Sequence, residues 1–79
     1  MQARIHLTLK DGVLDPQAEA IRHALGAMGF EDIKGIRQGK LIEIDLAGTD
    51  AEEATARVTE MCEKLLANTV IEDYRIEIS

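Results

Sequence analysis

Residues 33–47 read IKGIRQGKLIEIDLA, and the fold turns on how this stretch is divided. Ile42, Ile44 and Leu46 alternate with Glu43 and Asp45, the period-two pattern of a strand with one buried face. Ile36 has the same parity. Taken as one strand, 33–46 spans roughly 45 Å at about 3.3 Å per residue. That is about twice a common strand length. Two solutions exist. Gln38-Gly39 turns a tight hairpin and the chain is βαββαβ, or the strand runs on, bent at Gly39, and serves two sheets. Gln-Gly is not among the strong hairpin pairs, and a glycine inside a strand more often marks a bulge or bend. The continuous, bent strand is the better fit, with its ends shared between two subunits. Ile36, Ile42, Ile44 and Leu46 then form its dimer face.

Upstream, KDGVLDPQAEAIRHALGAMGF (10–30) reads as a turn and a helix. Asp15 is placed to accept from free N–H groups at the helix start. Pro16 suits the first helical position, where no N–H is needed. Ile21, Ala24, Leu25 and Met28 recur at helical spacing and form one apolar stripe. Gly29 fits a left-handed position after the helix, with Phe30 folding back on Leu25. Capping thus accounts for both ends, and a loop with one glycine and no Ser or Thr makes a poor anion site. Before it, residues 3–9 alternate: Ala3, Ile5, Leu7 and Leu9 on one face, Arg4, His6 and Thr8 on the other.

Downstream, Thr49 and Asp50 are each followed three residues later by a glutamate, so either can cap a second helix. Its buried stripe is Ala54, Val58, Met61, Cys62 and Leu65. Glu53 with Arg57, and Glu60 with Lys64, are i,i+4 pairs on the wet side. Asn68 suits a left-handed cap. Residues 70–78 form the last strand, with Val70, Tyr74, Ile76 and Ile78 on one face. The sum is a single α+β domain over 1–79: a small antiparallel sheet with two helices on one face. The other face carries Arg4, His6, Glu43, Asp45, Arg75 and Glu77.

At 79 residues a single core gives marginal stability. One cysteine excludes an internal disulfide, and no Cys or His pair has metal-ligand spacing. Self-association is the remaining support. A net charge of −6 argues against nucleic acid, which is held by Lys and Arg. No apolar run approaches the roughly 18 to 20 residues of a membrane span, and MQARIHLTLK lacks the apolar block of a signal peptide. The expectation is a cytoplasmic protein with a reduced thiol.

Catalytic equipment is missing from the pattern. Cys62 lies on an apolar stripe with no neighbouring cation to favour a thiolate. His6 and His23 stand alone, without an acid, nucleophile or second ligand. There is no phosphate loop. Phe30 and Tyr74 are the only rings, too few for a base-stacking sheet. Three classes fit this outline: an interaction subunit of a larger enzyme, a small-molecule regulatory module of the ACT type, and a small enzyme of the acylphosphatase type. The last needs an arginine in the loop after the first strand, and KDGVLD has none.

GVLDPQ leading into AIRHALGAMGF, then IRQGKLIEIDL, MCEKLLAN and VIEDYRIEI, resembles the PurS subunit family of phosphoribosylformylglycinamidine synthase. The likeness runs from Ala3 to Ile78 in order and spacing. Two positions depart from it: Ala18 stands where the family usually has glycine, and Thr69 where it usually has proline. The resemblance implies a PurS-like fold, a relative of the ferredoxin-like outline, and a role in de novo purine biosynthesis. The implied subunit is non-catalytic. It assembles an ATP-dependent synthetase subunit with a glutaminase subunit for ammonia transfer, in a ligase complex that uses ATP, magnesium and glutamine. It forms a homodimer or homotetramer and brings no catalytic, cofactor or metal residue of its own. Polarity and position then single out Arg37, Lys40, Asn68, Glu72, Tyr74 and Arg75 as candidates for the partner interface.

Overall fold

Alternating apolar residues build the sheet, and capped stripes build the helices. The computed structural model describes residues 1–79. Its elements are β1 (Gln2–Leu9), α1 (Pro16–Ala27), β2 (Gly39–Asp45), α2 (Ala51–Met61), a π turn (Cys62–Leu66) and β3 (Glu72–Ile78). β1 lies between the other two strands, antiparallel to both. Its register sets Ala3 against Ile44 and Ile78, and Ile5 against Ile42 and Ile76. Leu7 faces Lys40 and Tyr74. Ala3, Ile5 and Leu7 are buried, and Val58, Cys62 and Ala67 close over them. This is the α+β arrangement that the sequence implies.

α2 opens on Asp50, whose carboxylate accepts from the N–H groups of Glu52 at 3.0 Å and Glu53 at 3.4 Å. Of the two candidate caps, Asp50 therefore takes the role. Lys64 pairs with Glu60 at 2.6 Å, whereas no ion pair joins Glu53 to Arg57. The helix ends differently from its pattern. The Ala67 N–H donates to Cys62 O, five residues back, at 3.0 Å. That wider turn shifts the phase of the last residues. Cys62 and Ala67 face the core, and Leu65, assigned to the stripe by 3.6-residue spacing, is exposed. Asn68 is likewise not left-handed, because every non-glycine φ is negative. Ala67 leaves the turn already extended. Asn68 instead opens a tight turn, its carbonyl accepting from Ile71 and Glu72 and its side chain from Val70. Val70 sits in that turn and is exposed, outside the strand face given to it.

α1 follows its sequence closely. Asp15 accepts from the N–H groups of Gln17 and Ala18, both at 3.1 Å, with Pro16 beside it. At the far end the Phe30 N–H donates to Leu25 O and the Gly29 N–H to Gly26 O. Gly29 carries φ 102°, the left-handed ending that only glycine adopts freely. The two helices are placed unequally, however. α2 packs along the sheet, while only the first turn of α1 reaches the same face, through buried Ala18.

The stretch 33–47 resolves into a strand and an arm. No strand precedes Gly39, so Gln38-Gly39 is not a hairpin turn. Nor does the strand run back to Ile33 within the single chain. Thr8 pairs with Gly39, and beyond it β1 leaves for the Lys10–Gly12 turn. The Leu9 carbonyl accepts from Arg37 Nη2 at 2.7 Å, and the Lys10 N–H donates to Ile71 O. An extension of β2 therefore has no edge of its own to pair with.

Candidate functional site

The sheet's buried face is apolar at one end and polar at the other. At the polar end the register places Leu9 against Glu72 and Leu7 against Lys40. Glu72 is nine-tenths buried. Its Oε1 accepts from the Asn68 N–H at 2.8 Å, and Lys40 Nζ lies 3.5 Å from Oε2. A buried carboxylate is tolerable only with such partners. A cleft of about 420 Å³ opens here between Leu7, Leu9, Asp15, Gln17, Lys40 and Glu72. That volume would admit a small ligand. Its charged walls are already engaged: Asp15 caps α1, and Glu72 and Lys40 satisfy each other.

The six interface candidates do not form one patch. Lys40, Asn68 and Glu72 meet at this polar end. Arg37 lies nearby on the arm, held by Leu9 O and 3.5 Å from Asp11. Tyr74 lies on the core face beside the π turn. There the neighbouring Glu63 carboxylate, with burial, pushes the phenol above its usual range. Arg75 stands on the opposite, open face. It hydrogen-bonds Glu77 and so holds that carboxyl below its ordinary value. His6 Nε2 is 3.3 Å from Glu77 Oε1 yet out of line for a hydrogen bond, and is otherwise enclosed. Of the proposed dimer face, Ile42, Ile44 and Leu46 pack against the core, and Ile36 is half-buried on the arm.

Chemistry has little to work with. Cys62 is fully buried, and burial pushes its thiol up, away from a reactive thiolate. No group of three His, Cys, Asp or Glu could hold a metal ion, and no helix is long and apolar enough to cross a membrane. The features that offer themselves to a partner are backbone edges and apolar side chains. β2 and β3 each leave one edge unpaired. Leu14, Met28, Phe30 and Leu65 are more than half exposed. The α1 stripe was legible as periodicity; that most of it lacks cover was not.

The family described as PurS, phosphoribosylformylglycinamidine (FGAM) synthase, matches residues 2–79. The phosphoribosylformylglycinamidine synthase subunit PurS of Bacillus subtilis is 46% identical over 77 residues, covering 98% of this chain and 90% of that protein. The Archaeoglobus fulgidus subunit PurS is 45% identical over 76 residues, covering 96% and 95%. Among solved structures, Methanocaldococcus jannaschii PurS superposes with a TM-score of 0.88 at 40% identity, covering 99% of this chain and 94% of that one. A chain in the structure of PurLQS from Thermotoga maritima gives 0.86 at 30% identity, covering 96% and 93%. These likenesses cover nearly the whole length of the fold just described, and this chain belongs to the PurS family of FGAM synthase subunits.

Proposed function

We infer that this chain works as the assembly subunit of FGAM synthase, joining the ATP-dependent synthetase subunit to the glutaminase subunit. One observation carries the reading: a relative of the same fold, 30% identical with a TM-score of 0.86, is a chain in the structure of PurLQS. Its contribution is geometric. Ammonia released by a glutaminase is lost once it reaches water and is protonated. Holding the two active sites in register keeps it on a short, enclosed path, which is catalysis by positioning. The chain itself binds no cofactor in this reading; ATP, magnesium and glutamine belong to the other subunits. It acts in the cytoplasm.

The same reading makes the chain a homodimer or homotetramer. The free β2 edge and the arm before it are the natural pairing surface, since main-chain hydrogen bonds there would satisfy an otherwise open edge. An omission assay tests the assembly role. The synthetase and glutaminase subunits are mixed with ATP, magnesium, formylglycinamide ribonucleotide and either glutamine or ammonium, with and without this chain. Glutamine-driven turnover should require the chain and ammonium-driven turnover should not. Equal glutamine-driven turnover in its absence would overturn the reading.

A further inference from the structure

The two carboxylates on the wall of the polar cleft are hydrogen-bonded through one oxygen each. Asp15 takes both α1 N–H groups on Oδ1, which leaves Oδ2 open. Glu72 accepts from the Asn68 N–H on Oε1 at 2.8 Å. Its Oε2 has Lys40 Nζ at 3.5 Å, an ion pair well outside the roughly 2.8 Å of a charge-assisted hydrogen bond. Glu72 is 9% exposed, and a buried carboxylate gains most from donors at full hydrogen-bond contact. Lys40 is not fixed beside it. Its side chain is 72% exposed, and an exposed pair of this kind costs little to open on the lysine side. Leu7, Leu9 and Ile71 supply the apolar wall of the same cleft. The space between them is about 420 Å³, within the range of small-molecule sites.

We propose that this cleft binds a free α-amino acid with an apolar side chain, its ammonium on Glu72 and its carboxylate on Lys40. The inference goes beyond the assembly reading and does not rest on it. A zwitterion enters between Nζ and Oε2 by moving the exposed lysine outward. One long ion pair then becomes two charge-assisted hydrogen bonds. The ammonium has three donors, so Asp15 Oδ2 is a second acceptor for it beside Glu72. Charge decides against the simpler ligands. An anion without an amine meets Asp15 and Glu72 against the single cation Lys40. An amine without a carboxylate displaces Lys40 and returns nothing to it. The apolar wall accepts an aliphatic side chain and disfavours a charged one, which would lose its water without gaining a partner. Occupancy also ties β2, through Lys40, to β3 and the Asn68 turn, through Glu72. A ligand held this way stabilises the fold by mass action.

Titration of the full chain, followed through its backbone amide NMR shifts, tests this with three probes: leucine, isoamylamine and isocaproate. The second lacks the carboxylate of leucine and the third lacks its ammonium. Leucine should saturate the shifts of Gly39, Lys40 and Glu72 with a Kd in the millimolar range or tighter. Each one-charge probe should bind at least tenfold more weakly. Lys40→Gln alters an exposed side chain and leaves the fold intact, and it should weaken leucine at least tenfold. Lys40→Arg keeps the cation and should recover part of that loss, which a merely structural role for the lysine would not predict. Absence of saturable shifts with leucine, valine and methionine alike overturns the proposal. So does leucine binding that Lys40→Gln leaves unchanged. Isoamylamine binding as tightly as leucine also overturns it, by making the cleft a plain cation site. The omission assay above reads the assembly role separately, so either conclusion can fail without the other.

Discussion

At the residue scale, Glu72 and Gly39 show why parity alone misjudged the polar end of the sheet. Glu72 shares the strand face of Tyr74 and Ile76, and polarity and position single it out as a partner-interface candidate. It is instead a buried staple between β3, the Asn68 turn and Lys40. Glu72→Ala leaves the Asn68 N–H unpaired and should cost about 1–3 kcal/mol in urea unfolding. Glu72→Gln keeps an acceptor and should cost less; equal losses would contradict the staple. At Gly39, an added Cβ would lie 2.5 Å from Leu7 O and 3.0 Å from Thr8 Cγ2. Gly39→Ala must push β2 off β1, at about 1–3 kcal/mol. Two ionisable pairs give signed pH effects. Glu77 is held below its ordinary 4.5, mainly by its hydrogen bond from Arg75. The contribution is therefore present above that value and fades as pH falls through the lowered one. The advantage of the native chain over Arg75→Gln should shrink correspondingly in acid. Tyr74 is the only tyrosine, and there is no tryptophan. Its phenol is raised above 10.0, chiefly by Glu63, so this contribution is present below that value and lost as pH rises through the raised one. Glu63→Gln should move the phenolate absorbance midpoint down, and an unmoved midpoint would remove Glu63 as the cause.

At the element scale, the legible parts were those whose causes are local. The Asp15 cap, Pro16 and the Gly29 ending of α1 were readable because each rests on neighbours a few residues away. β1 was readable because strict alternation leaves no second phase. The end of α2 was not. Nothing in CEKLL announces a five-residue turn, and the 3.6-residue rule carried Leu65 inward. The wider turn puts Ala67 on the core in its place, while Cys62 holds the buried position that its spacing gave it. A pair of substitutions separates the two geometries. Leu65→Lys should change stability by less than about 0.5 kcal/mol, as exposed sites do, while Val58→Ala should cost about 2 kcal/mol through its core cavity. A Leu65→Lys loss as large as that of Val58→Ala would restore the regular helix. The 33–38 arm is the other unreadable element. Its strand pattern is real, but strand formation depends on whether a neighbouring edge is present, and within one chain β1 has already turned away.

At the scale of the whole molecule, chain length and one cysteine already pointed to support from outside the chain, and the single chain leaves apolar surface and strand edges open. The sheet is covered on one side by α2, both its edges are free, and α1 reaches past it with its apolar stripe bare. Function was legible for a different reason. The order of segments along the chain, not the chemistry of any one residue, carried the resemblance to PurS, and the family match over 2–79 bears that resemblance out. A protomer built this way should couple folding to association. Species that associate only when folded gain stability with concentration, by about 2.7 kcal/mol for a hundredfold excess over the dissociation constant. The thermal midpoint should therefore rise as the protein is concentrated. Ile44→Lys should abolish the dependence, because it places a charge on the β2 face that packs against the core and borders the free edge. A native midpoint that does not move with concentration, or an Ile44→Lys protein that remains a well-folded oligomer by light scattering, would mean that the open surfaces of the single chain are stable as they stand.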